Sequence, residues 1–484
     1  MKKVKIYAFI LSCAIMLFTA CSGNNTEKMT GQKTPDESLT DTVTEESIDI
    51  PVTNMKGKEF NIFASGWYGY EPLAIIDIFQ EEIIGEPLND AAYERRMKIE
   101  DAYNCKIIQS GIDIPQDALS KFQMTIQAQD DSYDIGIIRG LNFAKLLTGG
   151  YLRELGDLQN INFDNPWWRE KASEAYALGG KKYGICGDVT TNEMLAVLIV
   201  CFNKGIVSDY DLKSPYELVK AGDWTLDKAV GMAKTAAHDL DNDGIMTGSD
   251  FWGMLYSHDE ISGLLNACGI RLAELDHDGI PQITFDLPEN ISKIQNIFNK
   301  IYDETYSGNT TVRVTGGGNI FGENRSLFSF TSTHVANGLR QMDVDLGIIP
   351  YPKYDIAQPE YLPTVVGSFL PVICIPSTNN DMENTGLFLE AFACEGKKSV
   401  IPVFYDNILK GKVTRDEESE DMIDYIFGNI YYDTGNLLNF GDMAVQINLM
   451  SVTLNDNIAS FAVKNRPVYE KAINDIMDEI KTGQ

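Results

Sequence analysis

The chain has 484 residues, of which 44% are hydrophobic, 40 are basic and 70 are acidic, for a formal net charge of −30. That length exceeds one ordinary domain and leaves room for two or three packed cores. The acidic balance argues against nucleic acid, whose phosphates would be repelled, and against docking of the folded body on an anionic membrane surface.

The first 20 residues read as a signal peptide. Met1-Lys2-Lys3-Val4-Lys5 is a positive n-region, and residues 6–18 form an apolar run too short to span a bilayer, which takes about 20 residues. The run ends Leu17-Phe18-Thr19-Ala20-Cys21, small residues before a cysteine as in a bacterial lipobox, where the Cys21 thiol is acylated and becomes the first mature residue. A plain signal cut after Ala20 is the alternative. Residues 21–55 are polar and acidic with little to bury, which predicts a lipidated, disordered tether. The expected location is the extracellular face of the cell membrane, held there by the N-terminal lipid only.

Glu59-Phe60-Asn61-Ile62-Phe63-Ala64 alternates as a strand does. A helix is expected over 73–82, and a second after Asn89-Asp90, carrying Tyr93, Met97 and Tyr103. A strand follows at 105–108, a helix over 117–129, and a largely apolar strand at 133–138. Alternating strands and helices predict an α/β fold with a parallel sheet, whose ligands bind beyond the carboxyl ends of the strands. Those ends carry Gly66-Trp67-Tyr68 and Arg139-Gly140-Leu141-Asn142. LAVLIVCFN at 195–203 reads as one long strand, and LPTVVGSFLPVICIP at 362–376 is a similar run. Two such runs far apart in sequence suggest two lobes joined by extended crossings.

DLDNDGIMTGSD at 239–250 has the spacing of an EF-type calcium loop. Such a loop draws oxygens from positions 1, 3, 5, 7, 9 and 12, with glycine at 6. That assigns Asp239, Asp241, Asp243, the Ile245 carbonyl, Thr247 and Asp250, with Gly244 at the turn. Thr225 is placed to cap a preceding helix with Leu226, Val230, Ala233 and Ala237 on one face, and Phe251 to Tyr256 reads as a strand. A sensor re-angles two helices; one helix and one strand predict structural Ca2+. Asp276-His277-Asp278-Gly279 has Phe285 at the twelfth position and is read as a hairpin turn.

The chain has no GxSxG, HExxH or P-loop, and Gly316-Gly317-Gly318 fails dinucleotide spacing because Phe321 holds the last glycine position. His238, His258, His277 and His334 form no helical metal pair. Cys105, Cys186, Cys201, Cys268, Cys374 and Cys394 lack CxxC spacing, which excludes the usual zinc patterns. Buried free thiols are preferred over disulfides, which six cysteines could form in 15 ways.

Taken in order, EPLNDAAYERRMKIEDAYNCKI, NPWWREK, VCFNKGIV, SPYELVKAGDWT, the calcium loop with FWG, LGIIPYPKYDIAQPEY and RDEESEDMIDYIF make the chain similar to the extracellular solute-binding lipoproteins of bacterial ABC importers, carbohydrate type. The resemblance covers about residue 60 to the C-terminus. It implies an α/β, two-lobed periplasmic-binding-protein-like fold with a cleft between lobes joined by extended crossing segments. Lobe 1 is expected over 56–198 and 365–405, lobe 2 over 204–360 and 412–484. It further implies a non-enzymatic monomer that takes a saccharide and docks on the transmembrane subunits of an ABC permease. By position, the ligand residues it suggests are Trp67, Tyr68, Tyr70, Arg139, Asn142, Thr191, Asn192, Glu193, His258, Asp259 and Ser368. Aromatic faces stack on sugar C–H surfaces and planar polar groups bond hydroxyls. Trp167-Trp168 is read as packing, since adjacent helical residues point about 100° apart. The competing readings are a cell-surface polysaccharide hydrolase and a calcium-stabilised adhesion protein.

Overall fold

The computed structural model describes residues 50–64, 77–111, 115–256, 260–302, 311–313, 318–339, 343–367, 369–413, 416–453 and 457–482. In chain order its strands are β1 (Lys58–Ala64), β2 (Cys105–Ser110), β3 (Ile135–Arg139), β4 (Ala177–Leu178), β5 (Lys181–Lys182), β6 (Leu198–Asn203), β7 (Trp252–Tyr256), β8 (Ala273–Leu275), β9 (Pro281–Ile283), β10 (Thr311–Arg313), β11 (Ser326–Ser332), β12 (Leu346–Ile349) and β13 (Pro371–Cys374). Among the described residues, one sheet has the order β13-β3-β1-β2 and another β10-β7-β11-β6-β12. β1 is parallel to β2 and β3, and β13 runs antiparallel along β3. β7, β10 and β11 are parallel, with β6 antiparallel to β11 and β12.

Side-chain alternation explains the layers. In β1, Phe60 stacks on Phe388 of the helix Met382–Pro402 with centroids 4.2 Å apart, while Phe63 points the other way and meets Phe122 of the helix Pro115–Gln127 at 5.2 Å. β3 (IGIIR) and β6 (LIVCFN) are buried along their whole length, as strands covered on both faces must be. In the second lobe Trp224 is fully buried and its indole N–H donates to the Pro350 carbonyl at 2.9 Å.

The helix with Tyr93 and Met97 starts earlier than its periodicity suggested, at Pro87. Glu86 accepts the Asn89 N–H at 2.8 Å and proline fits the first turn, so the cap fixes the start. The helix expected over 73–82 is absent from 77–82, which are bent and irregular; 73–76 lie outside the described residues. Asp77 instead receives the Thr190 hydroxyl at 2.8 Å and the Thr191 N–H at 2.5 Å, a tertiary demand that local propensity does not report.

The long strand expected at 195–203 is divided. Asn192–Leu195 is one helical turn, Val197 bridges Val365, and β6 begins at Leu198. The run at 362–376 is divided likewise, and β13 begins only at Pro371. Between the sheets these segments pair with each other: Leu198 N–H donates to Thr364 O at 2.9 Å and Val366 N–H to Ala196 O at 2.8 Å. A third connection is helical. Met382–Pro402 continues as a π-helical run, Val403–Val413, toward the helix Glu417–Gly428. From Ile50 onward the chain forms one compact unit.

The Asp276–Gly279 stretch turns the β8–β9 hairpin, with Gly279 at φ 72°, and the Gly279 carbonyl accepts the Gly179 N–H at 2.9 Å. The final helix, Ile458–Thr482, touches both lobes. Lys181 donates to the Ile480 carbonyl at 3.1 Å, and Arg466 pairs with Asp286 just after β9. All six body cysteines are buried free thiols.

Candidate functional site between the lobes

β3 delivers the first predicted residues. Arg139 ends the strand, pairs in register with Pro371, and stands at the N-cap of the helix Gly140–Leu147, which carries Asn142. Both side chains are buried. Gly140 N–H donates to Leu370 O at 2.8 Å, so this junction lies against the second crossing. A Cβ at residue 140 would strike the Gly367 carbonyl and lie 3.1 Å from the Tyr176 hydroxyl.

The first crossing carries Thr191, Asn192 and Glu193, all buried. Thr191 is fixed through its backbone by Asp77, and the Asn192 N–H donates to the Thr190 hydroxyl oxygen at 3.2 Å. Arg95 braces the same region. Its guanidinium donates to the carbonyls of Asp77 and Val189, the latter at 3.0 Å, and lies 3.8 Å over the Phe392 ring.

Glu193 belongs to a buried network. Its carboxylate accepts the Tyr432 hydroxyl at 2.6 Å and stands 3.3 Å from Arg169 Nε, while Arg169 also pairs with Asp188 at 2.5 Å. Burial raises the Glu193 carboxyl, against the opposing pull of Arg169 and Tyr432. Burial opposes the charge on Arg169, but Glu193 and Asp188 outweigh it and raise its pKa. These groups border a cavity of about 430 Å³ whose walls include Trp168, Val197, Tyr405 and Phe427. Trp167 and Trp168 are both buried, and Trp168 donates to Glu390 at 2.9 Å. The pair therefore packs, as the sequence suggested, but Trp168 also lines this cavity.

Of the predicted ligand residues, Trp67, Tyr68, Tyr70, His258, Asp259 and Ser368 lie outside the described residues, as does Cys21. Arg139 and Asn142 gather at one junction, and Thr191, Asn192 and Glu193 at the crossing. Tyr176 links the two groups, since it approaches Gly140 and feels the Glu193 charge. Arg169, Asp77, Tyr432 and Arg95 were not anticipated. Arg169 sits in the NPWWREK motif, where a cation beside two buried tryptophans was the available signal.

The acidic loop is a separate centre in the second lobe. Thr225 caps the helix Leu226–Ala236 by accepting the Lys228 N–H at 3.3 Å. Ala236 is buried there, with Ala237 only half-buried, because the helix ends at residue 236. His238 and Phe251 exchange backbone bonds at 3.0 and 3.1 Å and close the loop at its base. Carboxylate oxygens of Asp239, Asp241 and Asp243 lie within 4.8 Å of one another. Asp239 accepts the Gly244 N–H at 2.7 Å, Asp243 the Ile245 N–H at 2.7 Å, and Gly244 takes φ 84°. The buried Asp250 accepts the Leu240 N–H at 2.9 Å and the Thr247 N–H at 2.6 Å. Although the Asp243 N–H lowers it, the Asp241 carboxyl is raised overall by burial and by the Asp243 and Asp239 charges. Three hard oxygen donors converging under mutual repulsion fit a calcium ion. Asp276, His277 and Asp278 also cluster, yet Asp276 accepts the N–H groups of Asp278 and Ile280 at 3.0 and 2.9 Å as a hairpin turn does.

Comparison of the backbone with solved structures decides the architecture. An ABC substrate-binding protein from Listeria monocytogenes in complex with cycloalternan matches at TM-score 0.53 and 14% identity, over 88% of this chain and 98% of that one. A cyclo/maltodextrin-binding protein complexed with maltotetraose matches at TM-score 0.55 and 13% identity, over 88% and 97%. An ABC transporter solute-binding protein from Thermotoga lettingae, bound with α-D-tagatose, matches at 0.53 and 13%, over 87% and 100%. This chain has the two-lobed solute-binding fold. No protein-family model and no curated protein matches it by sequence. The paired crossings at Val197 and Val365 join the two sheets. The ends of β3 and β11 adjoin these crossings, with Gly140 N–H donating to Leu370 O at 2.8 Å and Thr333 N–H to Val197 O at 2.9 Å. Among the described residues no helix is long and apolar enough to cross a membrane.

Proposed function

We propose that this chain is the substrate-binding lipoprotein of an ABC importer, capturing an extracellular sugar or oligosaccharide between its lobes and passing it to a membrane permease without chemical turnover. The observation that carries the reading is the arrangement of two α/β lobes on paired crossings, with the carboxyl ends of β1, β3, β7 and β11 directed to the seam. The saccharides in the solved structures of like fold support the choice of ligand class.

In this reading Arg139, Asn142, Thr191 and Asn192 form the floor of the cleft. The segments after β1 and β7, which carry Trp67, Tyr68, Tyr70, His258 and Asp259, and Ser368 on the second crossing, supply stacking faces and hydroxyl partners. Acylated Cys21 ties the body to the outer face of the membrane. The test is a thermal-shift screen of the lipid-free body, from residue 53 onward, against mono- and oligosaccharides, amino acids and peptides. A ligand that binds only the folded state must raise the melting temperature. A saccharide hit is expected; silence across all saccharides would overturn the reading.

Calcium, in the same proposal, is structural and sits at Asp239, Asp241, Asp243, Thr247, Asp250 and the Ile245 carbonyl. It would pin the helix Leu226–Ala236 to β7, since Trp252 donates to the Thr247 carbonyl at 2.7 Å and Arg325 to the Gly248 carbonyl at 2.7 Å. Extracellular sites of this kind bind at roughly 10⁻⁴ to 10⁻³ M. Calcium at about 2 mM is therefore expected to raise the melting temperature by about 1–2 °C. Asp243→Ala should abolish that rise and leave saccharide affinity unchanged well below melting. Affinity that collapses while the melting temperature holds would place calcium in the ligand site instead.

A further inference from the structure

We infer that Glu193 is a positioning residue: it sets how the two lobes approach each other, from behind the first crossing, without touching the ligand. The inference rests on the two-lobed binding function proposed above.

The strand order shows which side of the crossing Glu193 faces. Outward from β1 and β3 come β13, then Ile185 bridged to Ile373, then Trp168 bridged to Gly187. Arg169 follows Trp168 and so lies past the outer edge of the first sheet, on the side of the crossing away from the ends of β1 and β3. In the second sheet β12 is the corresponding edge, beyond β6. The helix Glu417–Gly428 lies along it, with Ser419 accepting the Ile348 N–H at 3.1 Å, and leads directly to Tyr432. The cavity of about 430 Å³ occupies this outer side.

One buried carboxylate thus joins three separate pieces of the chain. Glu193 stands on the crossing, Arg169 at the start of the first-lobe helix Glu170–Ala175, and Tyr432 on the segment that returns from the second lobe. Tyr431 also bonds back to the second crossing through Pro363 O at 2.7 Å, so Tyr432 is placed relative to both crossings. Hydrogen bonds to an ionised acceptor are strong and directional, and losing one from a buried charge is costly. The Tyr432 and Arg169 contacts can coexist only at one spacing of the segments that carry them. The adjoining cavity leaves that spacing free to change when the contacts are lost. Among the described residues Glu193 Oε2 meets only Arg169, at 3.3 Å, while Oε1 takes the Tyr432 hydroxyl at 2.6 Å, so each carboxylate oxygen answers to a different piece of the chain.

The experiment uses spin labels at Lys121→Cys and Lys228→Cys, exposed helical positions in the first and second lobes, with the native thiols buried. Double electron–electron resonance without ligand then reads the lobe spacing. Glu193→Ala and Tyr432→Phe are each expected to shift or broaden the distance distribution. Glu193→Gln, which keeps an acceptor for Tyr432, should restore most of it. For saccharides that bind the wild type, Kd should weaken about 10-fold in the Ala and Phe variants, by one common factor, leaving selectivity intact. Distances that do not change in either variant would overturn the inference, whatever happens to the melting temperature. So would affinity losses that differ among saccharides, which mark direct contact. If no saccharide binds the wild type, the proposed function fails, and the ligand-free distances still decide the role of Glu193.

Discussion

Replacing Arg95 with alanine is expected to destabilise the protein by about 3–5 kcal/mol, seen as a lowered midpoint of chemical denaturation. Arg95 is 1% exposed, and burial pulls its pKa down to about 10, so it remains charged at neutral pH. Its guanidinium serves the carbonyls of Asp77, Val189 and Asp188, the last two at 3.0 and 3.5 Å, and covers the Phe392 ring at 3.8 Å. Alanine leaves those carbonyls buried without donors and opens a void against Phe392. Lysine offers one compact ammonium in place of a planar fork and should recover only part of the loss. Function should suffer with stability. Asp77 follows the segment bearing Trp67 to Tyr70, and Asp188 and Val189 lead into the first crossing, so two sides of the proposed cleft hang on one side chain. A loss below 1 kcal/mol with unchanged ligand affinity would show that the carbonyls find other donors and that Arg95 is not the brace described here.

Several features of this fold were legible before any coordinates. The alternation in β1, the apolar run of β3, the cap at Thr225 and the hairpin at Asp276–Gly279 follow from local pattern, and β6 keeps only the second part of its expected run, from Leu198. The turn of the acidic loop is local in the same way, with Gly244 at φ 84° and the carboxylates of Asp239, Asp241 and Asp243 brought together. What escaped was set by distant partners. The irregular course of 77–82 depends on Thr190 and Thr191, more than 100 residues away. The crossings looked like long strands because they are apolar, yet they pair with each other between the sheets. Glu193 was expected at a ligand on the strength of its position near the crossing. Its carboxylate meets Arg169 and Tyr432, the latter more than 200 residues away, and no local pattern reports those partners. Sequence proximity to a crossing does not say which side of the crossing a side chain faces.

Gly140→Ala should cost about 1–3 kcal/mol and weaken ligand binding at least 10-fold, the second large effect expected of a single methyl group. The argument is close approach, since Gly140 does not adopt a left-handed backbone. A Cβ there would fall on the carbonyl oxygen of Gly367, with Leu370 O 3.4 Å away. Gly367 cannot retreat, because its own added Cβ position already lies 2.6 Å from the Asn436 carbonyl oxygen. Asn436 is fixed in turn by the Ser262 hydroxyl at 3.1 Å and by Asp433, which accepts its N–H at 2.6 Å. Three backbones are therefore stacked at the seam: the end of β3, the second crossing, and the helix Thr434–Leu438. A methyl group forces the first from the second and widens the seam where β3 faces the other lobe. Gly231→Ala is the control. No atom lies within 4 Å of its added Cβ, and it stands inside the helix Leu226–Ala236, so it should stabilise by about 0.4–1 kcal/mol. Melting temperature and saccharide affinity of the two variants, measured side by side, separate the effect of crowding at the seam from the effect of adding a methyl group anywhere. If Gly140→Ala behaves as Gly231→Ala does, the close approach of β3 to the second crossing is not what holds the lobes in register.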